Sequence, residues 1–213
     1  LNGNYTLSRC FGLEWANTGG NGGGYTNPAD PDYDRGHCAS DRTHLANATV
    51  GYQTPRFDSV ALRALASSWR VSGIVNARSG SWLTVTTGQN SFNGLGGTAG
   101  LRVNQVSDDV YGDGTLLAYL NRAAFEQPAV GVFGNHEVNS IRGPGFWKID
   151  MALSRLFPFG ATRNLEIRVE AFNLLNNFNW GNPITSLSSG NFGRIQTAAG
   201  DQRIMQFGLK YGF

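Results

Sequence analysis

Arg203-Ile204-Met205-Gln206-Phe207-Gly208-Leu209-Lys210-Tyr211-Gly212-Phe213 closes the chain, and its reading decides the fold. A strand sends alternate side chains to opposite faces. One face therefore collects Met205, Phe207, Leu209, Tyr211 and Phe213, and the other Ile204, Gln206, Gly208, Lys210 and Gly212. The first face is continuously apolar and ends in two aromatics; the second is mostly small or polar. A soluble strand packed on a core shares this pattern. A transmembrane β-strand needs the same alternation over about nine to eleven residues, with aromatics at the water boundary. The decision rests on whether other segments repeat it.

Five others do. Asn2 to Cys10 sets Gly3, Tyr5 and Leu7 against Asn2, Asn4, Thr6 and Ser8. His44 to Thr54 sets Ala46, Ala48, Val50 and Tyr52 against Asn47, Thr49, Gly51 and Gln53. Trp69 to Thr87 follows, bent near Ser79-Gly80-Ser81. Phe146 to Phe157 opposes Trp147, Ile149, Met151 and Leu153 to Lys148, Asp150, Ala152 and Ser154. Asn164 to Ala171 opposes Leu165, Ile167 and Val169 to Glu166, Arg168 and Glu170. Beyond Phe172 the phase slips, as at a bulge.

The connections differ sharply in length. Phe11 to Arg42, Gly88 to Gly145 and Asn176 to Gly200 read as long loops, rich in glycine, proline and asparagine. The second is so long that it implies a function of its own. A short helical turn capped by Asp58 and running through Leu65 makes one compact connection. Pro158-Phe159-Gly160 makes the other, as a tight turn. The order is long, short, long, short, long, which places every long loop at one end of an antiparallel sheet. Outer-membrane barrels segregate their loops in this way. The expected fold is all-β: an antiparallel transmembrane β-barrel segment of about six strands with long extracellular loops. A secreted β-sandwich adhesin or lectin-like module, binding through the same loops, is the alternative.

Composition agrees with the membrane reading. Charged residues are 15% of 213, against about 25% in soluble domains. A net charge of +2 gives no nucleic-acid footprint. No apolar run is long enough for a spanning helix. Leu1 opens the chain inside a strand-like pattern without an initiator methionine, which leads us to expect a fragment or a processed product. Cys10 and Cys38 flank a loop; pairing would suit an oxidising compartment, and two free thiols are the alternative.

No constellation supports catalysis. Gly94-Leu95-Gly96-Gly97-Thr98-Ala99 matches a dinucleotide fingerprint, but no helix follows it. Asp30-Pro31-Asp32-Tyr33-Asp34 resembles a calcium loop, yet Arg35 stands where glycine is required, so it reads as a solvated acidic turn. His37, His44 and His136 lack ligand spacing. No enzyme activity, cofactor or metal is expected.

Specific motifs add a resemblance. Asn121-Arg122-Ala123-Ala124-Phe125, Gly134-Asn135 and Asn139-Ser140-Ile141-Arg142-Gly143-Pro144-Gly145-Phe146-Trp147-Lys148-Ile149-Asp150 resemble Oar-like TonB-dependent receptors. So do Arg168-Val169-Glu170-Ala171-Phe172-Asn173-Leu174-Leu175-Asn176 and Asn191-Phe192-Gly193-Arg194-Ile195. Asp34-Arg35-Gly36-His37-Cys38 and Asp41-Arg42-Thr43-His44 look like the cysteine-bearing loop of those proteins. The likeness covers residues 1–213, but only the last part of the family's 22-stranded barrel; the plug and the carboxypeptidase-regulatory-like domain are not in this sequence. It implies an outer-membrane location and uptake or binding of a bulky ligand. The implied partners are outer-membrane lipid, the barrel-assembly machinery and the TonB energy complex, the last reached through amino-terminal parts. It also implies that the aromatic terminal strand, with Phe207, Leu209, Tyr211 and Phe213, is an assembly signal. At a cell surface, a Cys10–Cys38 disulfide is expected.

Register in the hairpin follows from charge. If residue numbers of opposed pairs add to 318, Asp150 faces Arg168 and Lys148 faces Glu170, giving lumen-facing pairs of opposite sign. The same sum leaves Pro158-Phe159-Gly160 as a three-residue turn.

Overall fold

The computed structural model describes residues 1–13, 25–88, 101–160 and 162–213. Six strands form one sheet: β1 (Asn2–Leu7), β2 (His44–Gln53), β3 (Trp69–Arg78), β4 (Phe146–Phe159), β5 (Arg163–Phe172) and β6 (Ile204–Gly212). Their order in the sheet is their order in the chain, and every pairing is antiparallel. The sheet is open, with β1 and β6 at its edges. The fold is all-β, as expected, with some boundaries moved. β1 stops at Leu7, and β3 stops at Arg78 rather than continuing to Thr87. Trp82–Leu83 instead forms a separate ladder with Ile141–Arg142.

The faces are continuous across all five pairings. Tyr5 opposes Ala46, which opposes Ala77, which opposes Trp147. Trp69 opposes Arg155, while Phe157 opposes Leu165, which opposes Tyr211. The apolar side carries aromatics near each end: Tyr5 and Trp147 toward the long loops, and Tyr52, Trp69, Phe157 and Tyr211 toward the short connections. Trp147 and Phe157 lie about 33 Å apart along the strand at ~3.3 Å per residue. At a strand tilt near 40° that is ~25 Å of depth, the height of a barrel's apolar band. Much of this side is open, for Phe207 is 74% and Leu209 72% exposed. The opposite side carries Asn47, Asn76, Lys148, Asp150, Arg168, Glu170 and Lys210.

The β4–β5 register differs from the charge-based expectation. Ser154, not Asp150, faces Arg168, and Ala152 faces Glu170, so the opposed numbers add to 322. Pro158-Phe159-Gly160 is not the turn. Pro158 and Phe159 belong to β4, opposite Asn164 and Arg163, and the chain turns beyond them, with Gly160 at φ +75°. Proline fits there for a geometric reason. Leu156 N–H points toward β3, donating to Ser68 O at 3.1 Å. The nitrogen two residues on points the same way, past the last β3 pair at Trp69, so its missing hydrogen breaks no ladder bond. The four charges still share one face, but pair along their own strands. Lys148 Nζ lies 2.7 Å from Asp150 Oδ2, and Arg168 Nη2 lies 2.6 Å from Glu170 Oε1.

Between β2 and β3 is helix α1, Val60–Ala66. Ser59, not Asp58, holds its N-cap position, and no side chain bonds there. After Phe172 the chain leaves β5 without a bulge, through Asn173 and Asn176 at positive φ (52° each).

The core lies in the long loops, not against the sheet. Val85, Val103, Leu120, Ala124, Phe125, Ile141, Leu187 and Phe192 form one buried cluster, joined at its margin by Leu83, Val110 and Tyr119. All belong to the β3–β4 and β5–β6 connections. The segment expected to be irregular, Gly88 to Gly145, thus supplies much of a structured cap over residues 101–145; the Gly94–Ala99 fingerprint lies outside the described residues.

The two sides of the sheet should respond oppositely to charge. Val169→Arg, on the apolar side near mid-depth, is expected to cost about 2–4 kcal/mol in lipid vesicles. Gln206→Arg, on the other side, should cost under about 1 kcal/mol. Urea unfolding of the reconstituted protein measures both.

Candidate functional site in the long-loop cap

The cap is assembled from three connections that the sheet delivers to one end. In the first, Cys10 and Cys38 are joined by a disulfide with Cα atoms 5.4 Å apart. Cys38 N–H donates to Cys10 O at 3.2 Å. Phe11 and Gly12 pair with His37 and Gly36 beside it. Restricting the unfolded chain over a separation of 28 residues contributes about 3–4 kcal/mol on the chain-entropy account. The bond closes the loop that carries Asp34.

Asp34 ends a 3-10 turn, Pro31–Asp34, and is fully buried. This corrects the reading of residues 30–34 as a solvated acidic turn, which holds only for the exposed Asp30 and Asp32. The Asp34 carboxylate accepts from Thr26 N–H at 2.6 Å and from Arg102 Nη1 at 2.9 Å. Arg102, 1% exposed, spends its other donors on His136 O (2.8 Å) and Tyr33 O (2.5 Å), and lies 3.5 Å over the Tyr33 ring. A buried guanidinium in this arrangement has its charge and its hydrogens answered together. Beside it, His136 is buried, with Nδ1 3.1 Å from Gln105 Oε1. Burial, and then the Arg102 charge, push its pKa down to about 4, so the ring is neutral at neutral pH.

A second cluster ties the disulfide loop to the β3–β4 connection. Trp82 is sandwiched between the His37 ring (3.9 Å, interplanar angle 10°) and the Arg142 guanidinium (3.8 Å). Its indole N–H donates to Asp41 Oδ2 at 3.3 Å, and Ser8 Oγ donates to Oδ1 at 2.8 Å. Burial alone would raise the Asp41 carboxyl; these donors and the Cys10 backbone hold it below its ordinary value. Arg142 also donates to Thr43 Oγ1 at 2.7 Å.

The cap meets the sheet at the long-loop end of β4. Above Met151, β4 is paired not by β5 but by the chain that follows it. Asn173 N–H donates to Asp150 Oδ1 (2.8 Å), Leu174 N–H to Ile149 O (2.7 Å), and the Asn179 amide brackets Trp147 N and O at 2.9 Å each. Asp150 and Lys148 are therefore members of this junction, whereas Arg168 and Glu170 lie further along the sheet. Phe207, Leu209 and Tyr211 line the apolar side of β6, and Phe213 follows it, 96% exposed.

The cap opens a cleft of about 600 Å³ lined by Gln105, Ser107, Asp108, Asn135, Glu137 and Ser140, with Val106, Val110 and Ile141 in its wall. Such a surface offers hydrogen bonds and carboxylates. Ser140 Oγ in its lining lies 3.5 Å from His136 Nε2, and among the described residues no three His, Cys, Asp or Glu side chains converge as a metal cluster would require. The buried Arg102–Asp34 pair and the Trp82 sandwich went unread in the sequence; a lone arginine between Leu101 and Val103 was the available signal.

Residues 1–206 match the model of a family described as an outer membrane beta barrel domain. The chain belongs to that family. No curated protein and no solved structure matches it. The outer-membrane barrel domain lies in the outer membrane, with its apolar side toward lipid. Its short connections face the periplasm, and the cap faces outward.

Arg102→Met should leave the buried Asp34 carboxylate without its counter-charge, held by the Thr26 N–H, and cost the cap about 3–5 kcal/mol. Adding Asp34→Leu should recover most of that loss, and hydrogen exchange over residues 101–145 reports both. A histidine whose folded pKa is depressed takes up its proton on unfolding. Cap stability is then full above pH 6.5 and falls as pH drops toward 4. The loss is on the order of 3 kcal/mol. His136→Gln should flatten that window in the same exchange measurement.

Proposed function

We propose that this barrel domain is the carboxy-terminal part of an Oar-like TonB-dependent receptor, which binds a bulky ligand at the cell surface and imports it without chemical conversion. The observation that carries this reading is that the only extended buried cluster among the described residues sits in the outward-facing loops. A simple conduit needs no such cap, whereas a receptor needs a surface held rigid by its own core, with the cleft at Gln105, Asp108 and Glu137 as part of the ligand-facing side. Lys148, Asp150, Arg168 and Glu170 would line the lumen beside a plug. The motifs Asn139–Asp150 and Arg168–Asn176 support the receptor family. The TonB energy complex would act through amino-terminal parts of the same receptor. The barrel-assembly machinery would read the terminal strand through Phe207, Leu209, Tyr211 and Phe213. A water-soluble adhesin fits poorly, because among the described residues no second sheet covers the apolar side.

The test is the reading frame upstream of Leu1. A continuous frame encoding a plug and an energy-complex contact segment is expected, together with loss of ligand accumulation in cells lacking that complex. A signal peptide directly joined to Leu1 would overturn the receptor reading while leaving the barrel intact.

A further inference from the structure

At the end of the sheet away from the cap, α1 (Val-Ala-Leu-Arg-Ala-Leu-Ala) buries no residue. Val60 is 81%, Leu62 50% and Leu65 73% exposed. A helix apolar on nearly every side, with Arg63 its one charge, is not at rest in water. Its position follows from two lipid-side residues that oppose each other across β3 and β4. Trp69 Nε1 donates to Leu65 O at 2.8 Å, and the Arg155 guanidinium donates to Ala64 O. The carboxy-terminal turn of α1 therefore lies on the lipid side, at the level of the periplasmic aromatic row.

The charge at this level is one-sided. Arg155 projects from the lipid side, with its guanidinium 4.7 Å from the Phe157 ring and 5.2 Å from the Trp69 ring, and its buried Nε has no hydrogen-bond partner among the described residues. Arg163, opposite Phe159 on the same side, is exposed. Arg56 and Arg63 flank them in the β2–β3 connection, where Asp58 is the single carboxylate. Arginine on a face bounded by lipid calls for an anion at headgroup depth, and its planar fork matches phosphate.

We propose that α1, Arg155 and Arg163 form a docking surface for anionic phospholipid of the periplasmic leaflet. The apolar side chains of the helix enter the acyl boundary, and the two guanidiniums take the phosphate. The apolar helix and the lipid-side arginines are independent observations with one shared occupant. The inference rests on the outer-membrane location and is independent of the receptor proposal.

The complete gene product is reconstituted in matched vesicles in which either phosphatidylglycerol or phosphatidylcholine carries bromine. The Trp69 contribution to fluorescence is taken by difference from Trp69→Phe. Expected is quenching of Trp69 by both lipids, with phosphatidylglycerol enriched locally by about fivefold, the factor one arginine gives near an anionic surface. In Arg155→Gln/Arg163→Gln that preference should vanish while heat-modifiable migration is retained. Should the double variant fail to fold, the preference in the unmodified protein still decides. Absence of Trp69 quenching would place α1 away from the bilayer and overturn the proposal. Equal quenching by both lipids, or a preference that survives the double variant, would remove the arginines as its phosphate site.

Discussion

In hydrocarbon no water can satisfy a peptide group, so each N–H and C=O of a spanning strand must be paired by a neighbouring strand. The six-stranded meander follows from that constraint. Sequential strands pair with their chain neighbours, which forces every connection to one end or the other. The period of two then gives the whole sheet a lipid side and a polar side. The constraint lapses where the sheet leaves the bilayer. Above Met151 the edge of β4 is taken over by Leu174 and by the Asn179 side chain, an irregular pairing suited to the headgroup region and beyond. The cap begins at this change of pairing partner.

Much of the sheet was legible because two solvents imprint two alphabets on one strand. Tyr5, Val50, Val75, Ile149, Val169 and Phe207 could be placed on the lipid side without knowing which strand lay beside which. Register was not legible, for two reasons rooted in particular residues. Pro158-Phe159-Gly160 has turn-forming composition, yet the β3–β4 ladder ends at Trp69, with one further bond from Leu156 to Ser68, and proline breaks no ladder bond beyond it. Charge pairing across strands was the second guide. Lys148 and Asp150, and Arg168 and Glu170, are spaced two apart on one face and satisfy each other without a cross-strand partner. The shift from 318 to 322 preserves parity, so the side assignments survived an error in register.

The cap was barely legible. Its core draws Val85, Val103, Leu120, Phe125, Ile141 and Phe192 from short segments with no common period, and periodicity is the signal by which buried residues announce themselves. Asp34 sits among other acidic residues and looked solvated. Its burial depends on Arg102, a partner 68 positions away, and nothing local in either neighbourhood encodes that meeting. The two-residue ladders at Trp82–Leu83 and Asn104–Gln105 are too short to leave an alternation.

The two halves of the structure are held by different forces. The sheet gains its stability from lipid contact and ladder bonds, and its apolar side contributes nothing to the cap. The cap must therefore supply its own core and its own specificity. A buried ion pair is poor at adding net stability but demanding in geometry; Arg102 accepts only an arrangement that brings together Asp34, Tyr33 O and His136 O. Combined with the Cys10–Cys38 bond and the Trp82 sandwich, it selects one packing of the first long loop on the β3–β4 connection, whose apolar core is shared instead with the β5–β6 connection. Failure of that selection would disorder the outer surface while leaving the ladder bonds of the spanning strands intact. The outer surface is thus free to vary in sequence and specificity without altering the strands that the membrane constrains.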